Sequence, residues 1–157
     1  MEIRPAVLSD TEQIYKMHKA SIQSLCSTDY NAKEIAAWVA LLSPEIYESA
    51  ITEKVMIVGE DNGFICGLGI LDPDERQISA VYVHPDLKGT GLGRRILMEL
   101  ERRVLERGID RLSLCATVNA ESFYKYQGYK AQGPDFHALS CGTKLECVAM
   151  QKKLVRT

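Results

Sequence analysis

Two periodicities alternate along the chain, and each change of period marks a new element. Ile3 to Val7 reads as a short strand. Beyond Ser9 or Asp10, either of which suits a helix cap, Ile14, Met17, Ile22 and Leu25 recur at roughly helical spacing. A second helix fits Asn31 to Leu42, with Ile35, Val39 and Leu42 on one side and Trp38 on the neighbouring face. Pro44 opens a third, short helix carrying Ile46, Tyr47 and Ile51, because proline suits a first helical turn. At Lys54 the character changes. Val55 to Val58 is a strand, Asp61-Asn62-Gly63 is a hairpin turn, and Phe64 to Leu71 is the returning partner. Asp72-Pro73-Asp74 turns the chain into another strand, Gln77 to Val83, which His84-Pro85 ends.

A glycine-rich run then leads into an amphipathic helix ending near Arg107, its core stripe being Ile96, Leu97, Leu100, Val104 and Leu105. Gly108 is a suitable stop. Leu112, Leu114 and Ala116 alternate as a strand, Ala120 to Tyr126 forms a short helix, and Glu146 to Leu154 is a final strand. That last strand pairs with residues near 129–133 or 136–140. The pattern predicts a mixed α/β (α+β) fold, an antiparallel meander ahead of a strand–helix–strand unit, with no internal repeat. With 157 residues, 46% hydrophobic and 25% charged, it implies one domain over 1–157 and excludes disorder and fibrous repeats. No apolar run approaches the roughly 18–20 residues of a membrane span, and the first five residues lack a signal-peptide stretch. A net charge of -2 gives no global field favouring nucleic acid or membrane. Five cysteines, an odd number without Cys-x-x-Cys, argue against a disulfide framework or zinc knuckle. The expectation is a soluble, reduced, cytoplasmic protein.

The chemistry concentrates in Val81-Tyr82-Val83-His84-Pro85-Asp86-Leu87-Lys88-Gly89-Thr90-Gly91-Leu92-Gly93-Arg94-Arg95. A strand empties into a glycine-rich turn that opens a helix. The first helical amides have no internal partner, and the macrodipole adds roughly half a positive charge there. Glycines let the backbone approach an anion, and Lys88, Arg94 and Arg95 add formal charge. These features describe a phosphate or pyrophosphate cradle. A P-loop needs Gly-Lys-Ser/Thr, but Arg94 follows Gly93. A dinucleotide fingerprint needs a third glycine where Ile96 stands. A coenzyme A cradle of the form Gln/Arg-x-x-Gly-x-Gly/Ala fits Lys88 to Gly93 apart from its first residue.

The chain resembles a GNAT-superfamily N-acetyltransferase from Ile3 to Leu154. A second stretch carries the likeness: Leu112-Ser113-Leu114, Ala120-Glu121-Ser122-Phe123-Tyr124, and Gly128-Tyr129. The resemblance implies a central, bent, mostly antiparallel mixed sheet flanked by helices, splayed beyond its fourth strand. It implies acetyl-CoA as cosubstrate, an amine acceptor and no metal. Val81 and Val83, with Tyr82 between them, would hold the pantetheine arm and polarise the thioester carbonyl. Lys88, Gly89, Thr90, Gly91, Leu92, Gly93 and Arg94 would hold the pyrophosphate. Tyr124 would touch the cofactor and protonate the departing thiolate, a phenol being protonated at neutral pH. A homodimer is common in such a family.

Two departures accompany the likeness. Thr117 stands where members often carry Asn, so Asn119 is a cofactor contact out of register. Gln77-Ile78-Ser79-Ala80 holds no strand-four glutamate to serve as base, and His84, Tyr82, Glu60 and Asp72 are the other candidates. This keeps open a non-catalytic acyl-CoA-binding module. A narrower likeness, in Tyr30-x4-Ile35-x2-Trp38, Cys141, Leu145 and Cys147-x2-Met150, is to a little-characterised bacterial subgroup. Helices one and two commonly wall the acceptor site, which makes Tyr30 and Trp38, with Ser79, acceptor candidates. His137, Cys141 and Cys147 match no standard zinc spacing. Cys115, on the strand facing the cofactor, raises a covalent acyl-cysteine route beside direct transfer. Arg102, Arg103 and Arg107, interspersed with Glu99, Glu101 and Glu106, read as a solvated, ion-paired face.

Overall fold

The computed structural model describes residues 1–155. Its strands are β1 (Glu2–Pro5), β2 (Val55–Asp61), β3 (Phe64–Asp72), β4 (Gln77–Val83), β5 (Arg111–Thr117), β6 (Lys130–Ala138) and β7 (Lys144–Lys153). Its helices are α1 (Thr11–Leu25), α2 (Ala32–Ala40), α3 (Pro44–Glu53), α4 (Leu92–Glu106) and α5 (Glu121–Tyr126). The strands form one sheet in the order β1-β2-β3-β4-β5-β7-β6. Among the described residues only β4 and β5 run parallel, as a crossover through α4 requires.

The sheet is covered on both faces, which is why β2 reads as a continuous apolar run. Val55 and Ile57 join the core beneath α4, while Met56 and Val58 join the core beneath α1 and α3. Ile96, Leu97, Leu100 and Val104 bring α4 down on one face; Ile14, Met17, Tyr47 and Ala50 cover the other. Gly67 and Gly69 of β3 allow the close approach of α4. A Cβ on either would stand 2.6 Å from the Ile96 side chain. A third cluster joins α2 to the sheet through Ile22, Tyr30, Ile35, Trp38, Leu139 and Leu145.

Boundaries differ from the sequence reading where side chains found other partners. Asp10 does not cap α1: its carboxylate takes the Arg4 guanidinium at 2.8 and 2.9 Å and the Val7 amide at 2.9 Å. Asn31 does cap α2, with Glu34 returning the bond to the Asn31 amide. The strand preceding β7 is longer than either segment expected, pairing from Lys130 to Ala138. On α4, Arg102 and Arg103 pair with Glu99, while Glu101 turns inward to Lys152 and Tyr129. The exposed pairs among these add little stability.

The expectation of a fully reduced chain is corrected. Cys115 and Cys147 form a disulfide between neighbouring β5 and β7, with Cα atoms 5.9 Å apart. The register sets Cys115 opposite Ala149 and Cys147 opposite Thr117, so the cysteines are diagonal neighbours. Cys26, Cys66 and Cys141 remain free.

Candidate active site

The site begins with a defect in β4. Leu71 pairs with Ile78 and Ile70 with Ala80, leaving Ser79 as an extra residue, a β-bulge. Before the bulge, the Arg76 carbonyl accepts from Ser113 of β5; after it, the His84 amide donates to Cys66 of β3 at 2.8 Å. Both are even-numbered, yet they face opposite neighbours, so the bulge has switched the strand's parity. Val81 and Val83 therefore turn their peptide groups away from β3. On that side β5 has already parted, since it pairs with β4 only at Gln77 and Ile78. The result is a narrow gap between the two strands, bordered by Val81, Tyr82, Cys115, Thr117 and Tyr124.

On one side the gap opens into a cleft of about 520 Å³. Val81, Tyr82 and Val83 form its strand wall, and Lys88, Gly89 and Gly91 to Arg94 form its far end. Gly89 and Gly91 sit at φ 81 and 88, where a side chain would be strained. The α4 ladder starts with the Arg95 amide bonding the Gly91 carbonyl, so the amides of Leu92, Gly93 and Arg94 have no intrahelical partner. Lys88 and Arg94 are exposed and make no ion pair among the described residues. Leu92 is 2% exposed and also packs into the core. Thr90 does not border the cleft, and its hydroxyl donates to the Leu87 carbonyl at 2.7 Å.

Two buried polar atoms on the cleft walls lack hydrogen-bond partners among the described residues: Ser21 Oγ on α1, and Asn119 Oδ1, beside the Cys26 thiol. Orphaned buried oxygens are costly and rare. With the free amides and unpaired cations, they fit a ligand that combines amide groups with a pyrophosphate. Tyr124 lines the gap rather than the cleft. It is 6% exposed, its hydroxyl makes no hydrogen bond to a described residue, and burial pushes its phenol further up.

A second cavity, about 430 Å³, lies on the other side of Tyr82 and Thr117. Tyr30, Trp38 and Ser79 all border it. Tyr30 and Trp38 also anchor the third core cluster, so packing and cavity roles coincide. Tyr30 is held by two bonds, donating to the Glu146 carbonyl and accepting from the Val118 amide. The base candidates disperse: Glu60 pairs with Arg4, Asp72 with Lys54, and His84 Nδ1 accepts from the Asp86 amide. Tyr82 alone of those four stays on both cavities. Cys115 and Cys147 border the second cavity in oxidised form, which leaves no free thiol there for an acyl-cysteine route.

His18 and Ser21 escaped the sequence reading. Their signal was present: positions 18 and 21 fall four and seven residues after Ile14, on the buried stripe of α1. Polar residues there mark a lined cavity or a satisfied core group.

Burial pushes the His18 imidazole down to about 4. The unfolded chain takes up this proton below about 6.5, and the folded chain holds it off until near its lowered value. Stability is therefore expected to fall between those limits as pH drops, by about 1.4 kcal/mol per pH unit at most. Urea midpoints at pH 7 and 4.5 measure the loss, and His18→Asn should flatten it. Asp10, held low by its Arg4 hydrogen bond, adds its loss only at more acid pH.

Among the described residues, no group of three or more His, Cys, Asp or Glu is placed to hold a metal ion. No described helix is long and apolar enough to cross a membrane.

A mixed seven-stranded sheet flanked by five helices and split beside a glycine-rich helix start is the fold of one class of acetyltransferases. The acetyltransferase (GNAT) domain family matches residues 26–154, and the chain belongs to that family. A GCN5-related N-acetyltransferase structure from Rhodopseudomonas palustris is similar at 27% identity and TM-score 0.90, covering 98% of this chain and 95% of that one. The PaiA N-acetyltransferase of Thermoplasma acidophilum, solved with coenzyme A, shares the fold at 18% identity and TM-score 0.77, over 97% and 98% of the two chains. A phosphinothricin acetyltransferase of Sinorhizobium meliloti, solved with acetyl-CoA, does so at 20% identity and TM-score 0.73, over 98% and 88%. No curated protein sequence matches the chain.

Proposed function

We propose that the chain transfers an acetyl group from acetyl-CoA to a primary amine by direct attack. The observation that carries this reading is the split between β4 and β5, which joins a cation-ended cleft to an aromatic cavity beneath one buried phenol. Coenzyme A presents the acetyl group as an activated thioester. The amides of Leu92, Gly93 and Arg94, with Lys88, Gly89 and Gly91, hold the pyrophosphate. Ser21 Oγ and Asn119 supply partners for the pantetheine amides. The Val81 and Val83 peptide groups face the gap and polarise the thioester carbonyl, where negative charge grows during attack. As the C–N bond forms and the C–S bond breaks, Tyr124 gives its proton to the leaving sulfur. The proton shed by the amine nitrogen passes to solvent, from which the phenol is restored. Holding both reactants at the gap supplies the proximity term.

Calorimetric titration with acetyl-CoA, together with amine-dependent thiol release, tests the reading. Saturable binding and turnover support it; no binding of acetyl-CoA overturns it. A non-catalytic acyl-CoA-binding role is the second reading, favoured by Ser79 at the bulge and by Glu60 and Asp72 being engaged elsewhere. Binding without turnover across an amine panel would select it.

A further inference from the structure

The second cavity is unusual in its chemistry. Six rings border it, and all but His137 touch in series. Tyr47 meets His18 at 5.9 Å between centroids, His18 meets Tyr82 at 4.4 Å, Tyr82 meets Trp38 at 6.3 Å, and Trp38 meets Tyr30 at 5.8 Å. Tyr30 spends its hydroxyl on backbone, and Tyr47 spends its own on His18 Nδ1 at 2.8 Å. The opposite nitrogen, His18 Nε2, is buried and has no partner among the described residues. His18 is 7% exposed, so this is a polar atom in a built wall.

The charged groups are few. Glu146 is the one acidic residue bordering the cavity among the described residues, and the alternation of β7 turns its exposed side chain away from the face that carries Leu145 and Cys147. Lys54 also borders the cavity and lies 3.9 Å from Asp72. A polyamine or other polycation would find no inward carboxylate for its several charges. A monoamine with a flat apolar body matches what is present. Rings offer their faces to such a body and to its ammonium. A buried imidazole nitrogen left unpaired carries a desolvation cost that a ligand recovers by hydrogen-bonding to it.

We propose that the acceptor is a small arylalkylamine carrying one neutral polar group, and that His18 Nε2 selects it by hydrogen-bonding to that group. The proposal rests on the acetyl-transfer reading and narrows its acceptor. His18 acts as a specificity residue, while Tyr30, Trp38 and Tyr82 supply the apolar walls. Tyr47 fixes the imidazole ring, so that Nε2 keeps one orientation.

The test compares tyramine, 2-phenylethylamine, spermidine and alanine as acceptors, by thiol release at saturating acetyl-CoA. Tyramine is expected to exceed 2-phenylethylamine in kcat/KM by about tenfold, one hydrogen bond's worth. Spermidine and alanine should fall about 100-fold below tyramine. His18→Asn keeps a polar group near the Nδ1 position and removes Nε2. It should abolish the tyramine preference through KM and leave acetyl-CoA affinity unchanged. His18→Gln, which restores a polar atom near Nε2, should recover part of that preference. The wild-type panel stands if either variant fails to fold. Spermidine or alanine outperforming both arylalkylamines overturns the proposal, as does a preference unchanged in His18→Asn. Calorimetry of tyramine with the coenzyme A-loaded protein separates the two readings. Tyramine binding without turnover supports the cavity's assignment and defeats the catalytic one. Turnover of other amines with no tyramine binding does the reverse.

Discussion

Tyr124→Phe is expected to lower kcat about 100-fold or more while leaving the acetyl-CoA dissociation constant essentially unchanged. The size follows from the task. General acid catalysis contributes roughly 10²–10⁴-fold, and a phenylalanine keeps the ring while losing the proton. The selectivity follows from the surroundings. Tyr124 packs edge-on against Phe123 and Tyr129 with centroids 5.1 and 5.7 Å away, so the ring holds its place without the hydroxyl. That hydroxyl bonds no described residue, so its loss leaves no partner orphaned. Burial raises the phenol above its ordinary value, which keeps it protonated throughout the neutral range. Thiol release with a turned-over amine gives kcat, and calorimetry gives the affinity. An unchanged kcat across pH would remove the acid role, while a lost affinity would mean that Tyr124 positions the cosubstrate.

The parts of this molecule readable beforehand share one property: their signal is local. Lys88 to Arg94 is contiguous, so glycines, cations and helix start announce the cradle together. Val55 to Val58 and the stripe from Ile96 to Val104 each carry a clear pattern within one element. β6 carried little, because eight of its nine residues are exposed and no face alternates; residues near 129–133 or 136–140 were expected beside the last strand, and pairing along β7 joins them into one strand. The bulge at Ser79 was silent. Gln77 to Val83 reads as an unbroken strand, and the extra residue shows only in the register with β3. The Cys115–Cys147 bond depends on β7 inserting beside β5, a topological fact that neither cysteine's neighbours encode. His18 and Ser21 lie between these cases. Their positions on the α1 stripe were visible, but their function needs cavities whose other walls come from β4, α3 and the segment after β5.

Gly91→Asp should weaken acetyl-CoA binding by about 100-fold, near 2.7 kcal/mol, without unfolding the chain. Gly91 is the residue before α4 and adopts φ 88, a left-handed conformation that aspartate tolerates better than most residues. A Cβ there meets nothing within 4 Å, so no clash forces the helix away. The carboxylate would stand at the free amides and favour the positive end of α4. Those amides are the groups assigned to the pyrophosphate, so the new charge competes for them and repels the ligand. Gly91→Asn is the matched control, with similar shape and backbone tolerance but no charge. It should lose much less affinity, and the difference between the two variants should shrink as salt rises. Thermal melts check the fold, and calorimetric titration reads the binding. If Gly91→Asp keeps wild-type affinity and a native melt, the helix start is not where the pyrophosphate lies, and the cradle must be sought elsewhere on the cleft.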